Sequence, residues 1–193
     1  PGLVKFWLKN GYMPVHVSPY RNPISGEFSV AVVKPLTKRA RRMVLRANRE
    51  FRRKLVDWLS DSLYDMEPEV ADLLLQAPRV EGVERVEPAL TLNQWDRLYA
   101  FAKEVLTYSS ACDAVRGLVT AYFLDESPDK PKLSKIQRKL LILRVLQRRS
   151  WSKTAKELKK GKTWCQVELT QVTRHLLKHY TPPEEVVTAI SSS

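Results

Sequence analysis

Residues 134–180 read SKIQRKLLILRVLQRRSWSKTAKELKKGKTWCQVELTQVTRHLLKHY. Ser134-x-x-Gln137 has the form of a capping box, in which the hydroxyl and the amide each satisfy a backbone N–H at a helix start. Behind it, Ile136, Leu140, Leu143 and Leu146 fall at helical spacing. Ser150 or Ser152 caps a short helix carrying Ala155 and Leu158, and Gly161 is expected to stop it. Thr163 then caps a longer helix through Trp164, Val167, Leu169, Val172 and Leu176. Helix, short helix, glycine turn and longer helix make a helix-turn-helix pattern. Pro182 and Pro183 close it, and a short tail ends in three serines.

Working back toward the N-terminus, the helical pattern continues. Residues 111–123 read as one helix, and DESPDKP at 125–131 breaks the chain after it. Thr91 caps another, expected to run to Ser109 through Trp95, Leu98, Phe101 and Leu106. Residues 78–89 read as a linker or edge segment, and Pro68 marks the start of a helix with Leu73, Leu74 and Leu75. Residues 37–64 carry Met43, Val44, Ala47, Phe51, Leu55, Trp58, Leu59 and Leu63 as an apolar stripe. Ahead of that, residues 12–18 and 27–34 are rich in β-branched and aromatic residues and read as two strands. SPYRNPISG connects them, and residues 3–10 form a short helix that Gly11 stops. Two strands alone are marginal in water, so this segment needs further sheet. The fold class is therefore mainly α with a small α+β N-terminal segment, ending in a helix-turn-helix-like unit.

Charge is segregated along the 193 residues. The net charge is +12, from 33 Lys and Arg against 21 Asp and Glu. Residues 34–54 sum to +9, residues 55–129 to −10 and residues 130–162 to +12. Two basic blocks around an acidic middle point to a polyanion partner. A single block of this kind is ordinarily a solvated helix face; two in one small chain favour nucleic acid. Arg39, Arg42, Arg46, Arg49 and Arg53 lie between the apolar positions of the first basic helix. Arginine suits phosphate because its planar fork binds two oxygens at once. The second block supplies Lys135, Arg138, Lys139, Arg148, Arg149, Lys153, Lys156, Lys159, Lys160 and Lys162 as RNA-binding candidates, besides Arg144. Trp151 and Trp164 flank the lysine-rich turn, where they either stack on bases or close a helical core. The competing readings are a DNA-binding regulator, with Gln166 and Gln171 facing adenines, and a protein-docking module.

Little else suggests chemistry. His175 and His179 are four apart, but Arg174 and Lys178 beside them oppose a metal cation, and no metal site is assigned. Cys112 and Cys165 are expected to act as small buried apolar residues. Two isolated cysteines suit a reducing cytoplasm. No apolar run reaches the ~18–20 residues that span a bilayer, so no membrane partner is expected. No nucleophile, base and orienting group stand in a recognisable motif, and no phosphate loop occurs, so no catalytic residue is assigned. The chain starts at Pro1 without Met and reads as a piece of something longer.

Residues 3–36, LVKFWLKNGYMPVHVSPYRNPISGEFSVAVVKPL, carry FW-x-x-x-G-Y-x-P-V followed by N-x-x-S-G-E-x-S. This resembles the closing segment of the GNAT-type acetyltransferase domain of the RNA cytidine acetyltransferases. NREFRRKLVDWLSDSLYDMEPEVADLLLQ at 48–76 is similar to the start of that family's C-terminal tail. The resemblance is strong over 3–76 and looser beyond. It implies that residues 1–36 are the remnant of a GNAT-type domain, with two strands left from its sheet, and that residues 37–193 are a helical tRNA-binding tail. It implies tRNA or another structured RNA as partner, together with the rest of the same protein. The full enzymes transfer acetyl from acetyl-CoA to a cytidine N4 and use ATP; for tRNA(Met) the target is the wobble cytidine. The helicase-like module and the loop that holds the CoA pyrophosphate fall outside these residues, so the piece is expected to bind no cofactor and to be inactive alone. Arg21 is the position the resemblance brings near acetyl-CoA, within a loop shaped by Asn22, Ser25, Gly26 and Glu27. Phe6 and Trp7 are expected in the core. Unpaired strand edges suggest a homodimer through the orphan strands.

Overall fold

The computed structural model describes residues 2–76, 83 and 85–182. The chain's contacts divide it into two compact units, Pro1–Ala77 and Pro78–Ser193. It is mainly α, with a two-stranded sheet near the N-terminus.

In the first unit, helix α1 (Gly2–Lys9) ends where Gly11 takes a φ of +81°, the left-handed stop a glycine allows. Strands β1 (Met13–Arg21) and β2 (Phe28–Val33) pair antiparallel, with Met13 opposite Val33 and Arg21 opposite Phe28. β1 runs past the expected end at Ser18. Register shifts between Pro14 and His16 and between Val17 and Arg21 let it accommodate Pro14 and Pro19, which donate no ladder hydrogen bond.

Helix α2 (Lys38–Trp58) starts at Thr37, whose hydroxyl accepts the Ala40 N–H at 3.1 Å. It buries Phe51, Leu55 and Val56 and packs on β1. A polar contact fixes it there. The Asn48 amide donates to the Pro14 carbonyl at 2.8 Å and accepts from Arg52 Nε at 3.1 Å, all of it buried. The first basic helix thus packs with the strands, inside the compact unit Pro1–Ala77. Leu59 and Leu63 are fully buried, but in turns that follow α2. Helix α3 (Pro68–Leu75) opens with proline in its first turn, as read from sequence. The expectation of a core role for Phe6 and Trp7 is corrected: Phe6 is 55% exposed and Trp7 half-buried. α1 is short and leans mainly on β1 and α3, and among its described residues none is fully buried.

In the second unit, the expected linker at 78–89 falls partly outside the described residues. Helix α4 (Leu92–Ala102) opens with a complete capping box between Thr91 and Gln94. It stops well before Ser109, because Glu104 takes a left-handed φ of 65° without any glycine or proline to announce it. Helix α5 (Tyr108–Leu124) begins at Thr107 rather than Ala111. Helix α6 (Lys135–Leu140) has the expected Ser134–Gln137 box and runs on as a π-helical segment, Leu141–Leu146, whose residues are buried except Arg144. Helix α7 (Trp151–Leu158) is capped by Ser150, and helix α8 (Lys162–Leu177) by Gly161 instead of Thr163. α8 packs against α4, α5, α6 and α7, and Trp95, Leu98, Val115, Leu118, Leu143 and Leu169 lie in the core. Cys165 is buried as expected, whereas Cys112 is exposed beside Asp113 on the outer face of α5.

Candidate nucleic-acid interface

Along α2, Arg39, Arg42, Arg46, Arg49 and Arg53 recur at alternating intervals of three and four, so they share one side of the helix over about 21 Å. Arg39, Arg42 and Arg46 are exposed. Arg53 is exposed but paired with Glu50 at 2.9 Å, and Arg49 is half-buried. Lys38 and Arg41, also exposed, extend the surface beyond the residues singled out from sequence. Arg52, in the same block, is fully buried, so block charge overstates what solvent meets. Lys54 lies over the Trp58 ring at 4.2 Å.

In the second unit, Lys153, Lys156, Lys159, Lys160 and Lys162 are exposed along α7 and the turn into α8. Lys135 and Arg148 are exposed, whereas Arg138, Lys139 and Arg149 are half-buried. Arg138 donates to the Leu133 carbonyl at 2.7 Å, which makes it a brace for the start of α6. Among the described residues, the five lysines of this turn, Lys135 and Arg148 form no ion pair with a carboxylate. Three carboxylates of this unit engage other cations: Asp113 with Arg97, Glu87 with Arg85 and Glu104 with Arg174. The sorting matters, because unpaired exposed cations can release counterions from a polyanion on contact.

The tryptophans read as structure. Trp151 and Tyr108 meet edge to face at 5.5 Å, and the Arg144 guanidinium lies 4.6 Å from each ring. Arg144 also donates to the Arg149 carbonyl at 2.8 Å. Burial pushes the Tyr108 phenol upward, so it stays neutral there. Trp164 is half-buried, with Lys160 Nζ 5.3 Å from its ring.

The Arg97–Asp113 pair is bidentate, at 2.7 Å for each contact, and Gln94 donates to the same carboxylate at 3.0 Å. The Arg97 and Gln94 hydrogen bonds hold the Asp113 carboxyl well below the usual range. A depressed carboxyl contributes stability above its unfolded value, about 4, and loses it as pH falls below that. Asp113→Asn should flatten the acid limb of a pH–stability curve measured by thermal melting. A curve identical to that of the parent would show the pair to be inert.

A buried polar cluster closes the second unit. Asp125 is fully buried; it accepts the Tyr180 hydroxyl at 2.6 Å and the Ser127 N–H at 2.8 Å. Burial first, and then the bond to Asp125, drives the Tyr180 phenol far above its ordinary value. His179 Nε2 lies 3.9 Å from Asp125, whereas His175 is exposed, so the two histidines have different surroundings. Among the described residues, no cluster of three His, Cys, Asp or Glu is able to hold a metal ion.

Arg21 lines a cavity of about 260 Å³ with Leu3, Trp7, Phe28 and Glu67. Its guanidinium donates to Asp65 at 3.1 Å and to the Gly26 carbonyl at 2.7 Å, lies 3.9 Å from Glu67, and stacks on Phe28 at 4.2 Å. Two carboxylates already neutralise it and would repel phosphate. In this arrangement Arg21 is engaged with carboxylates rather than held open toward an acetyl-CoA phosphate. Its visible work is to pin the β1–β2 loop to the turn ahead of α3. Among the described residues, no helix is long and apolar enough to cross a membrane.

Comparison with known proteins extends the resemblance over most of the chain. It is 44% identical over 178 residues to the tRNA(Met) cytidine acetyltransferase TmcA of Thermococcus sp. (strain AM4), covering 92% of this chain and 22% of that one. It is 44% identical over 180 residues to its namesake in Pyrococcus furiosus, covering 93% and 22%. It is 50% identical over 153 residues to that of Methanopyrus kandleri, covering 79% and 17%. The chain therefore spans about a fifth of the length of the curated relatives it matches. The model of a family described as a possible tRNA binding domain matches residues 47–186, taking in most of α2 and all of α3 to α8. By that match, the chain belongs to this tRNA-binding-domain family.

Proposed function

We propose that the chain is the RNA-holding region of a tRNA(Met) cytidine acetyltransferase, gripping tRNA in the cytoplasm while acetyl passes from acetyl-CoA to the N4 of the wobble cytidine elsewhere in the full protein. ATP and acetyl-CoA belong to that larger enzyme, and this region alone is inactive. The observation that carries the reading is the set of exposed lysines along α7 and the turn after it, with Arg39, Arg42 and Arg46 on α2, none of which has a carboxylate partner among the described residues. The DNA-regulator reading is weaker. The first turns of α8 expose Lys162, Thr163, Gln166 and Val167, a poorly charged start for a helix meant to enter a groove.

Filter binding with tRNA and duplex DNA across several salt concentrations tests it. We expect tRNA to bind more tightly than DNA, with log affinity falling linearly against log salt at a slope of about −0.9 or less steep per phosphate contact. Equal affinity for both polyanions, or no binding, would overturn the assignment.

A further inference from the structure

We propose that Arg148 and Lys159, which flank α7, are phosphate contacts of the bound RNA and hold left-handed backbones for that reason. The inference rests on the RNA-binding reading above. Three described residues other than glycine have positive φ: Glu104, Arg148 and Lys159, at 65°, 54° and 53°. Two of the three are exposed cations that flank α7, the helix that carries Lys153 and Lys156. Each sits just past a helix C-terminus, the position where glycine is the common choice because it has no Cβ to clash with the carbonyl. A glycine is close by. Gly161 stands two residues beyond Lys159, yet takes a φ of −70° that any residue adopts. The sequence expectation that Gly161 stops α7 is therefore corrected: Lys159 carries the left-handed turn. A cation in place of glycine at both turns costs backbone strain. It projects an unpaired charge from a turn whose course is fixed at both ends.

A competing account is purely local. Cations near helix C-termini are favoured by the exposed carbonyls, with or without a ligand. The two accounts separate on substitution. Arg148→Gly and Lys159→Gly each relieve the strain and are expected to melt at or above the parent temperature, with unchanged helix content. On the phosphate-contact account each lowers the log–log salt slope of tRNA binding by about one and weakens binding several-fold at moderate salt. Lys159→Met keeps the Cβ and the stem without the charge, and should lose the same slope; Lys159→Arg should restore it. Parent slope and affinity in both glycine variants would overturn the inference, whatever their melting temperatures. If the parent protein itself fails to bind tRNA, the functional reading fails. If the parent binds and the variants match it, only this inference fails.

Discussion

Reversing Lys153, Lys156 and Lys160 to glutamate is expected to lower tRNA affinity about a thousandfold or more while leaving helix content intact. Lys153 and Lys156 stand on α7 and Lys160 just past its left-handed end; all three are exposed and, among the described residues, have no carboxylate partner. The inner side of α7 is Thr154, Ala155 and Leu158, untouched by the change. Lys153→Glu even completes a Ser150-x-x-Glu capping box and places an acid in the first turn, where the helix dipole favours it. The salt dependence decides the interpretation. Three lost phosphate contacts should reduce the slope by about 2.7, at roughly 0.9 each. The control is Lys5, Lys9 and Lys103 to glutamate, the same change in net charge at exposed cations outside both blocks. An equal loss in the control would mean that bulk charge, and not α7, attracts the RNA.

Asp125→Ala should destabilise the second unit by about 2–5 kcal/mol, the cost of leaving two buried donors without their acceptor. The substitution leaves the Tyr180 hydroxyl and the Ser127 N–H buried without an acceptor, and each such orphan costs about 1–3 kcal/mol. Calorimetry would read this as a fall in melting temperature of about 10 °C. Tyr180→Phe removes one hydrogen bond but keeps the ring, so its loss should be smaller. It should also change the alkaline limb. A phenol raised on folding contributes stability that is complete below its unfolded value, about 10, and declines as pH climbs above it. The phenylalanine variant lacks that component. Should Asp125→Ala melt with the parent, the cluster would be incidental to the fold.

The capping residues were the most legible part of the sequence. Thr91, Ser134 and Ser150 each open the helix read from them, because the signal lies within four residues and owes nothing to tertiary contacts. The ends were harder. α4 stops and α7 turns at Glu104 and Lys159, left-handed residues whose side chains do not advertise it. The π-helical widening at Leu141–Leu146 is hidden because a run of leucine and isoleucine is apolar on every face. At the site, spacing located the arginine stripe of α2 but could not tell Arg52, hidden beneath the helix with Asn48, from Arg53 on its outside. Arg144 counted as one more cation in a basic run. Its place between two rings depends on α5, far away in sequence, so composition could not show it.

That aromatic clasp bears on how fast and how tightly a partner is captured. Arg144, Tyr108 and Trp151 fix the entry to α7, and the Arg149 carbonyl is tied to the same guanidinium. The lysines that follow are mounted on a frame that needs no rearrangement when a ligand arrives. Only their side-chain tips have to settle, so the entropy lost on complex formation is confined to flexible methylene stems. Capture should then be governed by diffusion and long-range attraction, with the lifetime of the complex set by ionic strength rather than by a slow refolding of the protein.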